Sequence, residues 1–63
     1  MKSEYRIIGW CEGIGMVWRT ESGRCFKSFM DRETFEKVNE TRRSRGMDEM
    51  KEVKRSELPE NIE

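Results

Sequence analysis

Residues 5–29 read YRIIGWCEGIGMVWRTESGRCFKSF, three short runs rich in aromatic and β-branched residues, broken twice by glycine-bearing segments. Such runs are what a pleated, half-buried surface selects. The first strand is expected at Tyr5–Cys11 (YRIIGWC), the second at Met16–Glu21 (MVWRTE) and the third at Arg24–Phe29 (RCFKSF). Glu12–Gly15 is expected as a loop, because its two glycines permit tight turning. Ser22-Gly23 is expected as a two-residue hairpin turn. Connections this short make the three strands sequential antiparallel neighbours.

Outward from the sheet, Asp31 has the chemistry of a helix N-cap, a carboxylate able to accept from free backbone N–H groups. Met30 and Phe35 fall at the two staple positions. Glu33 sits in the first turn, and Arg42, Arg43 and Arg45 in the last, an order that complements the helix dipole. Gly46 follows as a terminating residue. A helix is therefore expected over Arg32–Arg45. Beyond it, Met47, Met50 and Val53 fit a helical spacing, while Glu52–Glu57 (EVKRSE), ahead of Leu58-Pro59, also fits a short edge strand. The edge strand is the preferred reading. The expected fold is α+β: a three-stranded antiparallel β-meander packed by one α-helix, with that short edge strand after it. It forms one β-β-β-α(-β) domain over residues 1–58, and residues 59–63 are expected as a disordered tail.

The 63 residues allow one thin core. Hydrophobic residues make up 33% and charged residues 41%, and both Trp, the Tyr and all three Phe occur by residue 35. The formal net charge is zero, so neither strong phosphate binding by charge excess nor acidic mimicry of DNA is expected. The opening Met-Lys-Ser-Glu-Tyr-Arg lacks a long apolar stretch, and no run approaches a membrane span; a cytoplasmic setting without membrane association is expected.

Period-two alternation then assigns faces. A four-residue loop at 12–15 sets Cys11 opposite Met16, and a two-residue turn at 22–23 sets Thr20 opposite Cys25. One face then carries Tyr5, Ile7, Cys11, Met16, Trp18, Cys25 and Phe29, and is expected to be the core beneath Phe35 and Val38 of the helix. The other carries Ile8, Trp10, Val17 and Phe26, rimmed by Arg6, Arg19 and Arg24. One helix cannot cover both sides. Either the segment through Met47, Met50, Val53 and Leu58 folds back over the second face, or a homodimer or another protein covers it. Trp and Arg are enriched at binding hot spots.

Chemistry beyond binding finds little footing. Cys11 and Cys25 are too few for a structural zinc site in a chain without His, and their expected separation of about 13 Å exceeds disulfide reach. Gly13-Ile14-Gly15 lacks the third glycine and following helix of a dinucleotide loop. Glu33, Glu36 and Glu40 lie among basic neighbours as a solvated helix face. No catalytic residue, metal ligand or cofactor is expected. The expected function is that of a small protein-binding module using Ile8, Trp10, Val17, Phe26, Arg6, Arg19 and Arg24, of the kind that phages and mobile elements use to inhibit or modulate a host protein. The alternative is nucleic-acid binding through Arg42, Arg43, Arg45, Lys51, Lys54 and Arg55, with aromatic stacking.

Overall fold

A computed structural model describes residues 4–63. The first three residues of the expected 1–58 domain lie outside the described residues. Strands β1 (Tyr5–Cys11), β2 (Gly15–Thr20) and β3 (Cys25–Ser28) form one antiparallel sheet in the order β1-β2-β3. Helix α1 (Arg32–Ser44) follows, and a single 3-10 turn spans Arg55–Glu57. The fold is the expected α+β meander with one helix.

The register differs from expectation, and the hairpin loops are the reason. Cys11 pairs with Gly15, so the first loop has three residues, closed by Ile14 N–H donating to the Cys11 carbonyl at 3.1 Å. Gly15 takes φ +113, and a Cβ there would collide with the Ser28 carbonyl and lie 2.7 Å from both Met30 N and Phe29 Cα. Only glycine lets the start of β2 pass under the exit of β3. The second loop also has three residues, Glu21–Gly23: Arg19 pairs with Cys25, and Gly23 N–H donates to the Thr20 carbonyl at 3.0 Å with Gly23 at φ +90. This is the three-residue hairpin with a left-handed glycine at its end.

A one-residue change in a loop moves a partner strand's side chains to the other face. A bulge adds a second shift, since Ile7 pairs with Trp18 but Gly9 with Val17, leaving Ile8 extra. As a result Tyr5, Ile7, Trp10, Met16, Trp18 and Phe26 share one face. Cys11, Val17 and Cys25 share the other with Arg6, Arg19 and Lys27. The expected division of the two tryptophans, Trp18 to the core and Trp10 to the far face, is corrected: both lie on the helix side.

Helix α1 begins as the sequence implies. Thr34 N–H donates to Asp31 Oδ1 at 2.9 Å, which holds the Asp31 carboxyl below its ordinary range. Lys37 and Glu33 form an i,i+4 pair at 3.5 Å. Phe35 lies flat on Trp10, with ring centroids 4.4 Å apart and planes within 9°. Trp10 Nε1–H donates to the Met30 carbonyl at 2.7 Å, and the Arg32 guanidinium sits 5.0 Å from its ring centroid. Trp10, Phe35 and Met50 form the buried cluster, with Ile7, Met16, Met30 and Val38 packed around it.

The segment after α1 is tied down by a polar device. Buried Asn39 donates through Nδ2 to the Met50 carbonyl at 3.0 Å and accepts from Met50 N–H at 2.7 Å. Asn39→Ala leaves both Met50 backbone groups buried without partners, so a loss of about 2–3 kcal/mol is expected, read as a lower urea midpoint.

From Met50 the chain joins the outer edge of β1: Trp10 N–H donates to the Lys51 carbonyl at 2.7 Å and Val53 N–H to the Trp10 carbonyl at 2.8 Å. Gly9 permits this approach, since a Cβ there would stand 2.8 Å from Lys51 O and Val53 Cγ1. The expected strand at 52–57 is reduced to one parallel bridge, Trp10 with Glu52, and the 3-10 turn. The expected disordered tail at 59–63 is instead placed against β3. Ile62 bridges Cys25, Glu63 N–H donates to the Cys25 carbonyl at 2.8 Å and Lys27 N–H donates to the Glu63 carbonyl at 3.3 Å. Backbone groups on the outer edge of β3 need partners, and this segment supplies them. Between its two anchors the chain runs on the side opposite α1, where Arg55, Leu58, Pro59 and Ile62 line a groove with Lys27 of β3 and Ile14. Val17 is fully buried there, and Cys11 and Cys25 are buried as free thiols.

Candidate docking surface

The seven residues expected to form one docking face do not form one. Trp10 and Val17 are 1% and 0% exposed, on opposite faces of the sheet, one under α1 and the other on the side where residues 54–61 run. Ile8 is half-buried at the bulge. Arg6 and Arg19 stand directly opposite each other on β1 and β2, both exposed. Phe26 and Arg24 are the two that the structure brings together, with the Arg24 guanidinium 5.3 Å from the Phe26 ring centroid.

That pair ends a row of aromatic rings across all three strands. Phe26 of β3 stacks on Trp18 of β2 at 6.0 Å between centroids, and Trp18 meets the edge of Tyr5 of β1 at 6.5 Å. Cross-strand pairing builds the row: Trp18 faces Phe26 directly, and Tyr5 sits on Thr20, two residues along from Trp18. Neither Trp18 nor Phe26 belongs to the cluster that α1 covers. Tyr5 is 61% exposed, and Trp18 and Phe26 are half-buried. The helix lies over the Trp10–Met16 part of the face and leaves this part open. Tyr5 and Trp18 were expected in the core; the three-residue second loop brings Phe26 onto their face, and the bulge at Ile8 keeps Tyr5 there.

Arg24 has a second partner. Its Nε–H donates to Glu63 Oε2 at 2.7 Å, and its Nη2 is paired with Glu63 Oε1. The hydrogen bond first, and the guanidinium charge second, hold the Glu63 carboxyl below its ordinary range. Both side chains remain exposed, so the pair positions more than it stabilises.

The basic cluster is broken up by acceptors. Arg42 donates to the Asp48 carbonyl, and Arg43 forms a two-pronged pair with Glu49 at 3.0 and 3.2 Å. Arg45, Lys51, Lys54 and Arg55 are exposed. Glu52, between Lys51 and Lys54, is occupied by Arg32 at 3.0 Å. Among the described residues no group of three His, Cys, Asp or Glu is placed to hold a metal ion, and no helix is long and apolar enough to cross a membrane. No protein-family model matches the chain, and no curated protein or solved structure is significantly similar to it.

Proposed function

We propose that the protein is a non-catalytic binding module that docks on a protein partner through the open aromatic row, Tyr5, Trp18 and Phe26, capped by Arg24. The observation that carries this reading is the row itself: three rings, one from each strand, on the part of the sheet that α1 leaves uncovered. Large aromatic side chains beside arginine are the composition of binding hot spots. Covering a functional surface of the partner is the simplest action for so small a chain.

Nucleic-acid binding through residues 42–55 draws less support, because Arg42 and Arg43 are held by acceptors of their own chain. The test uses Tyr5→Ala, which removes an exposed ring and should leave the melting temperature within a few degrees. Against a purified partner, Tyr5→Ala is expected to weaken binding at least tenfold. Unchanged affinity, or salt-sensitive binding to a single-stranded oligonucleotide in its place, overturns the proposal.

A further inference from the structure

The outer edge of β3 is occupied by a short piece of the same chain, and the manner of its occupation describes a ligand. Residues 62–63 run parallel to β3 and are held by two backbone hydrogen bonds, to the Cys25 carbonyl and from the Lys27 amide. The Glu63 carboxylate is received in a fork by Arg24. Ile62 lies half-buried beside Cys25. Direction comes from the backbone, an apolar contact precedes the acid, and the acid meets a guanidinium: these are the elements by which a sheet edge recognises an added peptide strand.

The occupation is partial. Lys27 N–H points outward to Glu63, so the Lys27 carbonyl points outward as well, one step beyond the last bond the segment makes. Next along that edge is Phe29, 75% exposed, bordering an open groove of about 730 Å³ with Ile14, Leu58 and Ile62. A strand laid in the direction of residues 62–63, but longer, meets an acceptor that has no partner among the described residues and then the exposed Phe29 ring.

The geometry points to the β3 edge as a strand-addition site for an extended peptide with an apolar residue followed by an acidic one, laid parallel to β3, residues 62–63 being its tethered occupant. This rests on the docking surface proposed above, of which Phe26 and Arg24 form the β3 border. The partner is a protein segment that adds a strand, places a carboxylate on Arg24 and sets a further apolar residue against Phe29. The tether sets a threshold. A short tether holds its end at an effective concentration of about millimolar, so a free peptide making only the same contacts competes poorly, and a longer one that reaches Phe29 displaces it.

The probe is the synthetic hexapeptide Leu-Pro-Glu-Asn-Ile-Glu, the sequence of residues 58–63, titrated into isotope-labelled full chain. In the double variant Ile62→Ser/Glu63→Lys, which frees the edge, the peptide is expected to shift the Arg24, Cys25 and Lys27 amides and to bind at least tenfold more tightly than to wild type. Adding Arg24→Glu to that variant is expected to weaken the hexapeptide at least tenfold and to favour its Glu→Lys counterpart at the final position. No shift at Lys27 up to millimolar peptide, in a variant otherwise native by its spectrum, overturns the inference. If the double variant does not fold, hydrogen exchange of the wild type decides. The Lys27 and Glu63 amides must open at least a hundredfold more often than the buried Met50 amide, and equal protection overturns the inference. Its failure is separable from failure of the docking surface, since Tyr5→Ala acts at β1 and leaves the β3 edge untouched.

Discussion

Gly15→Ala is expected to lower the melting temperature by at least about 12 °C, the shift that about 3 kcal/mol produces in a domain of this size. Two effects combine. Alanine strains the backbone at φ +113. Its methyl group also has no room, because the Ser28 carbonyl, Phe29 Cα and Met30 N stand around the site. These are backbone atoms at the turn from β3 into α1, and they cannot swing aside as a long side chain would. Relief requires β3 to separate from the start of β2, which breaks the register that aligns Trp18 with Phe26. Gly23→Ala provides the comparison: φ is +90, but nothing lies within 4 Å of its added methyl, so only the conformational cost of about 1–2 kcal/mol applies. Thermal unfolding of the two variants side by side checks this; equal effects would show that crowding at Gly15 is relieved.

Trp10→Ala is expected to cost about 3–5 kcal/mol, the range for removing a large aromatic from a core. A 63-residue chain has a total stability of about 3–9 kcal/mol, so the substitution removes from about a third of that stability to all of it. The loss includes the face-to-face contact with Phe35, the hydrogen bond to the Met30 carbonyl and the seat for Arg32. Trp10→Phe isolates one component, keeping a ring on Phe35 and removing the indole N–H. It should cost about 1–3 kcal/mol for the unpartnered carbonyl. Circular dichroism and urea titration distinguish the cases. A Trp10→Ala chain with native stability would mean that Trp10 is not the centre of the core.

Strand and helix positions were legible because each rests on local chemistry. Tyr5–Cys11 is dominated by β-branched and aromatic residues, and Asp31 caps the helix by a bond to Thr34, three residues away. What was not legible was phase. Both glycine-bearing breaks admit loops of two, three or four residues, and the choice of three depends on a contact remote in sequence, Gly15 beneath the Ser28–Met30 backbone. One residue of error in each loop moves Trp10 and Phe26 to the wrong side, and the bulge at Ile8 returns Tyr5 and Ile7 to the side they were given. The candidate surface suffered most, since it was defined by face. Phe26 and Arg24 stay together because they are two residues apart in the chain, whatever the register. Asn39 was not legible as a clamp: a polar residue among Glu and Lys on a helix reads as solvated until a backbone segment is found to lie against it.

The two short pairings, of residues 51–53 with Trp10 of β1 and of residues 62–63 with Cys25 and Lys27 of β3, each occupy part of one border of the sheet. Exposed strand borders are templates on which identical molecules stack into fibres, and a chain with Ile7-Ile8 in one border strand and Cys25-Phe26 in the other carries that hazard. The last dozen residues therefore bear on the protein's colloidal behaviour as well as on its fold: each bridge takes up border groups on which another molecule would otherwise pair, and truncating them is expected to lower the concentration at which the protein stays monomeric, read by light scattering.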